Sequence, residues 1–268
     1  MMFIELVVAG LAIGTFIGVS GVGGGSLMTP MLILIMGVNP LVAVGTDLLY
    51  SVPTKIFGAI LHARQRTLEW RVVRNLVYGG LPGVLAGIAL LWVLRHSIDM
   101  QLLSVWVKRG VGIALIVSAI SLVYSILKLR NAAQQAQPQP SLVEGATLPL
   151  SGGRERALIA CGAVVGFFVA LTSIGSGSIT LPLLLLIAPF IGLRRLVGSD
   201  IAFAAFLIPI AAFGHIALKD VNYSVAGALL LGSLPGIYIG SRLCKKLPEL
   251  WLRPAVAMVL VFAASRLV

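Results

Sequence analysis

Ser20-Gly-Val-Gly-Gly-Gly-Ser-Leu-Met-Thr-Pro30 decides how this chain is read, because a second version follows 152 residues later as Thr172-Ser-Ile-Gly-Ser-Gly-Ser-Ile-Thr-Leu-Pro182. Each copy sets small, hydrogen-bonding residues into apolar sequence a few positions before a proline. Inside a bilayer, backbone that does not hold helix has no water to satisfy its N–H and C=O groups. It persists only where protein buries it or where it lines a cavity. Two such breaks at matching positions of two halves point to the binding site of a transporter.

The sequence around both copies is apolar almost throughout. The 268 residues are 59% hydrophobic and 11% charged, against roughly 25% charged in soluble domains, and the mean hydropathy is +1.04. Runs long enough to cross a hydrocarbon core of about 30 Å recur along the chain. The expectation is an all-α, multi-pass integral membrane protein with the lipid bilayer as its main partner. The net charge of +11 sits in short loops without interleaved aromatics. It therefore reads as a membrane-orientation signal and excludes nucleic acid as a partner. Cys161 and Cys244 show no metal spacing and no catalytic partner, and read as filler on the reduced cytoplasmic side. Met1–Gly21 alone resembles a leader, but its mid-chain counterpart Arg156–Ser173 marks it as structural.

The duplication runs well past the glycine clusters. Gly14 matches Gly166 and Pro30 matches Pro182. With one residue inserted, Gly45-Thr46-Asp47 matches Gly198-Ser199-Asp200, His62 matches His215, and Trp70 matches Tyr223. Gly79-Gly80-Leu81-Pro82-Gly83 matches Gly232-Ser233-Leu234-Pro235-Gly236. A repeat at this many special residues sets the architecture. We read five apolar segments per half, at 3–20, 26–38, 42–62, 74–94 and 108–128, then 156–173, 178–191, 196–217, 223–243 and 251–267. Repeat 1 thus occupies 1–130 and repeat 2 occupies 155–268, joined by a polar, flexible cytoplasmic linker at 131–154. The second segment of each half spans about 20 Å, so it is short or re-entrant and the transmembrane helices number about 8 to 10.

An odd number of segments per repeat inverts the second half. The positive-inside rule agrees: 14 of the 20 Lys and Arg residues fall on one side and 5 on the other, with Lys55 inside a segment. The richer side, holding the linker, is read as cytoplasmic and both termini as external.

Both glycine clusters precede a helix start, read at Ser26 and Ser178. Exposed N–H groups and the positive end of the helix dipole there suit an anion. The candidate substrate-binding residues are Ser20, Gly21, Gly23, Gly24, Gly25 and Ser26 in the first half, with Thr172, Ser173, Gly175, Ser176, Gly177 and Ser178 in the second. Lys55 joins them as a positive charge within an apolar segment. Asp47 and Asp200, with Thr46 and Ser199 before them, are candidates for coupling or gating by binding sodium or a proton, the alternative being helix caps near the interface. Asp47 and Lys55 lie roughly 80° apart around a helix, so they pair only with bending. His62 and His215 end segments three and eight, read on the cytoplasmic side, and are candidates for a proton relay or for plain helix ends. Trp70 and Tyr223 read as interface anchors. Gly79, Gly83 and Gly87, with Gly232, Gly236 and Gly240, form ridges for close helix crossing. No nucleophile–base pair, paired carboxylate or metal cluster supports an enzyme, and no cofactor is implied.

Together the glycine-rich cluster with Pro30, Gly45-Thr46-Asp47, Pro53-Thr54, His62 with Trp70, and the Gly79–Gly83 motif, echoed in the second half, resemble the sulfite exporter TauE/SafE family of bacterial membrane permeases. The resemblance covers the whole chain except the linker. It implies a multi-pass inner-membrane transporter for small anions such as sulfite or organosulfonates. The residues leave a second reading open: a cation-coupled or channel-like permease for another small organic anion. They do not decide whether the chain forms a homo-oligomer.

Overall fold

The computed structural model describes residues 3–20, 25–134, 152–244 and 249–267. Every element in them is a helix: α1 (Phe3–Ser20), α2 (Gly25–Leu34), α3 (Pro40–Arg64), α4 (Trp70–Ser97), α5 (Met100–Gln134), α6 (Gly152–Thr172), α7 (Thr180–Ile187), α8 (Leu193–Ala217), α9 (Tyr223–Cys244) and α10 (Glu249–Leu267). Helices satisfy their own backbone, as lipid requires. Five stretches are long and apolar enough to cross a membrane, one each in α4, α5, α6, α8 and α9. α3 matches α8 at 25 residues and carries Asp47 and Lys55. The chain is an all-α integral membrane protein.

The short second segments are shorter than their sequence suggests. α2 has 10 residues and α7 has 8, about 15 and 12 Å of helix, so neither spans the hydrocarbon core. α7 begins at Thr180 rather than Ser178. α2 ends at Leu34, after which Gly37 turns the chain with φ of 63° and the Asn39 side chain caps α3 by accepting from the Leu41 N–H at 3.0 Å. Most of the expected linker lies outside the described residues. Residues 131–134 extend α5 and 152–154 open α6.

Helix contacts follow the sequence correspondence in exchanged pairs. α1 packs on α9, and α6 packs on α4; α3 packs on α8, and α5 on α10. In the first two pairs glycines from both helices let the backbones touch. A methyl group at Gly10 or Gly14 would run into the backbone of Leu229 or Ser233, and one at Gly162 or Gly166 into that of Leu76 or Gly80. The reverse holds for Gly232 and Gly236 against Val7 and Leu11, and for Gly79 and Gly83 against Ile159 and Ala163. Small residues promote this approach where lipid offers no hydrophobic drive for helix association. Trp70 and Tyr223 stand exposed at the starts of α4 and α9.

Candidate functional site

The two chain breaks meet in the interior. In the second, α6 stops at Thr172, whose hydroxyl accepts from the Ile174 N–H at 3.2 Å. Ser173 then adopts φ of 61°, and Gly175 and Gly177 adopt 153° and 89°. These last two values favour glycine over any residue with a Cβ. The turn satisfies itself: the N–H groups of Ile179 and Thr180 and the Thr180 hydroxyl all donate to the Gly175 carbonyl at 3.0–3.1 Å. Of the first break, residues 21–24 lie outside the described set, which takes in Gly21, Gly23 and Gly24, as does the side chain of Ser20.

The next two residues of that break are described, and they touch the second. The Cα of Gly25 faces the Ser173 carbonyl so closely that a methyl there would collide with it. The Ser26 hydroxyl donates to that of Ser178 at 3.0 Å. These serines are equivalent positions of the repeat. Ser118 of α5 also donates to Ser178 at 3.0 Å, and all three are buried, as is Ser176.

Beside this junction lie the intramembrane charges. Asp47 and Asp200 are each the eighth residue of their helix, α3 and α8, and both are buried. They are therefore not caps; Asn39 and Gly192 occupy those positions. Asp47 accepts from Thr29 of α2 at 2.6 Å through one oxygen and from Ser51, one turn on, at 3.4 Å through the other. The Ser173 side chain also lies beside this carboxylate, but its hydroxyl forms no hydrogen bond among the described residues. Gly177 N–H and the Thr180 side chain neighbour Asp200, yet its Oδ1 has no partner among the described residues. Lys55 is half-buried and makes no ion pair or hydrogen bond among the described residues. Asp200 and, more weakly, Asp47 lie near enough to act on its charge. The lysine does not bend back onto Asp47. Its repeat counterpart, Ile208, is buried.

Thr46 and Ser199 act as matched clamps. The Thr46 hydroxyl accepts from the Asn222 N–H at 3.0 Å, just before α9, and Ser199 accepts from the Glu69 N–H at 2.9 Å, just before α4. Gly45 abuts the Asp220 carbonyl and Gly198 that of Thr67. Each helix of the α3–α8 pair thus seats the other's exit loop. His62 lies by Gly198 and bonds the Thr67 hydroxyl at 2.8 Å; His215 lies by Gly45 and bonds the Ala170 carbonyl at 2.9 Å. The two histidines therefore mark opposite ends of an antiparallel pair. That corrects the reading that placed both on one face. Arg95 binds Asp220 at 2.8 Å at the His215 end, and Arg195 approaches Glu69 at 3.7 Å at the other.

Sequence reading missed Thr29, Ser51, Ser118 and Thr180. Thr29 and Thr180 stand inside the two break sequences, within two residues of the prolines, and Ser51 lies one turn after Asp47. Ser118 had only its polarity within an apolar run as a signal.

A helical, multi-pass membrane protein whose two broken helices meet over buried carboxylates has the architecture of a solute carrier. The chain belongs to the sulfite exporter TauE/SafE family, whose model matches residues 6–267. It is 34% identical over 273 residues to "Probable membrane transporter protein YjnA" of Bacillus subtilis (strain 168), with all of both chains covered. A second protein of that organism, "Probable membrane transporter protein YunE", is 26% identical over all of this chain and 98% of its own. "Probable membrane transporter protein MJ0441" of Methanocaldococcus jannaschii is 24% identical over 95% of this chain and 91% of its own. No solved structure matches. The protein is a multi-pass membrane transporter.

Proposed function

We propose that this protein is a secondary transporter that exports small anions of the sulfite or organosulfonate type across the bacterial inner membrane by alternating access. The observation that carries the reading is the Ser26–Ser178 hydrogen bond, which joins matching residues of the two breaks, Ser26 in the first turn of α2 and Ser178 two residues before α7. The hydroxyls of Ser173 and Ser178, which donate to no other group among the described residues, and the ammonium of Lys55, unpaired among the same residues, form a donor set for an oxyanion. Family membership supports an anion of sulfur chemistry.

The two repeats are inverted in this reading, with the linker cytoplasmic and both termini external, as the 14-to-5 distribution of basic residues favours. The matched clamps at opposite ends of α3 and α8 suit a molecule that opens first at one face and then at the other. A thermal-shift screen of the purified protein tests the reading against sulfite, thiosulfate, sulfonates and carboxylates, because a ligand that binds only the folded state raises its melting temperature. An oxyanion of sulfur is expected to stabilise the protein, and Ser178→Ala to weaken that shift. Stabilisation by carboxylates alone would overturn the substrate class.

A further inference from the structure

The central charges do not balance. Asp47 and Asp200 are buried and Lys55 alone faces them with positive charge among the described residues. With both carboxylates ionised, a bound anion would raise the net charge of the site from one negative to two. Burial in a low dielectric makes that uncompensated charge costly, so a positive species must enter with the anion.

The carboxylates are not equally suited to receive it. Both oxygens of Asp47 already accept hydroxyl hydrogen bonds, from Thr29 and Ser51. Asp200 keeps a bare Oδ1 while 3% exposed. The residues of α8 equivalent to Ser51 and Lys55 are Ala204 and Ile208, so its own helix gives it neither hydroxyl nor charge. A metal cation needs several oxygen ligands, whereas the single bare Oδ1 suffices for a proton.

We propose that Asp200 is the proton-coupling carboxylate of this transporter: an anion occupies Lys55 when Asp200 carries a proton on Oδ1, and the two cross together. The proposal rests on the anion-transport reading above. An O–H bond forms at Oδ1 with a proton from water on one side and breaks to water on the other, so a monovalent anion moves with no net charge and leaves the cell when its outward gradient exceeds the inward proton gradient. Of the helices against α8, α3 brings Lys55 and Asp47, α6 brings Cys161, and α7 the uncharged Thr180; the charged residues of α4 (Arg71, Arg74, Arg95, His96) sit toward its ends.

The test uses the full chain in liposomes with methanesulfonate, which stays monovalent at every working pH. One assay measures exchange at equal pH. The other measures accumulation driven by a pH gradient with the potential clamped at zero. Wild-type protein is expected to accumulate the probe toward the alkaline side, equally in sodium and in choline. In Asp200→Asn the ratio of accumulation to exchange should collapse, whereas Asp47→Asn should lower both together. An intact ratio in Asp200→Asn, a collapse in Asp47→Asn instead, or a sodium requirement overturns the proposal. Wild-type exchange without accumulation overturns the coupling alone, while absence of exchange overturns the anion reading with it. If Asp200→Asn does not fold, Asp200→Glu serves: the pH midpoint of accumulation should move, and an unmoved midpoint counts against Asp200.

Discussion

Asp47 and Asp200 hold the same place in the two halves, yet their surroundings have diverged. The first carboxylate lies among hydroxyls from its own half, Thr29 and Ser51. The second meets Ala204 where the first has Ser51, and takes its positive neighbour from across the repeat, at Lys55. Scaffold features stayed matched: Thr46 and Ser199 clamp equivalent backbone N–H groups at 3.0 and 2.9 Å. Matching positions of the two halves thus keep the same frame, while the carboxylates differ: both oxygens of Asp47 are bonded, and Oδ1 of Asp200 has no partner among the described residues.

The sharpest way to break this comparison is Lys55→Met, which strands both carboxylates. Transport should be lost and the melting temperature should fall. Adding Asp200→Asn should restore stability with a coupling of about 0.5–3 kcal/mol, and adding Asp47→Asn should restore less; equal rescue by both would mean the lysine does not distinguish the halves. Thr29→Val comes next. It removes the 2.6 Å bond to Asp47 and should cost about 1–2 kcal/mol, read from thermal unfolding in detergent, whereas Thr180→Val, whose hydroxyl serves the Gly175 carbonyl, should cost less. Arg95→Gln against Arg195→Gln extends the comparison to the ends of α3 and α8. The close, part-buried pair with Asp220 should matter by more than about 1 kcal/mol, and the looser Glu69 pair by about 0.5 kcal/mol or less. The smallest effect belongs to Ala204→Ser, which offers Asp200 the hydroxyl its counterpart has. Stability should change by less than about 1 kcal/mol, and proton-driven accumulation should weaken as Asp200 gains a donor.

What was legible in the sequence follows from what is local. The breaks could be read because glycine and serine clusters are incompatible with an uninterrupted span, and doubling them identified a paired feature. Helix type followed from apolar length, although α7 starts two residues late because Ser173–Ile179 closes on the Gly175 carbonyl. The partners of Asp47 were not legible. Thr29 reaches it only because α2 folds back on α3, a contact between elements that no spacing reports. Ser118 sits in an ordinary apolar run and becomes notable only when α5 brings it to Ser178. The histidines went astray for a related reason: each looks like a plain helix end until the antiparallel docking of α3 and α8 sends them to opposite faces.

The exchanged helix pairs also dictate an order of assembly. α6 follows α4 after 54 residues of intervening chain, 98–151, whereas α1 must wait for α9 across about two hundred residues. At ribosomal rates of about 5–20 residues per second, α1 spends roughly 10–40 seconds in the membrane with its glycine face uncovered. The α4–α6 pair is thus expected to form early in the nascent protein and α1–α9 to close last. Neither half made separately contains a complete pair of this kind, so the two should regain a native form only when synthesised in the same membrane.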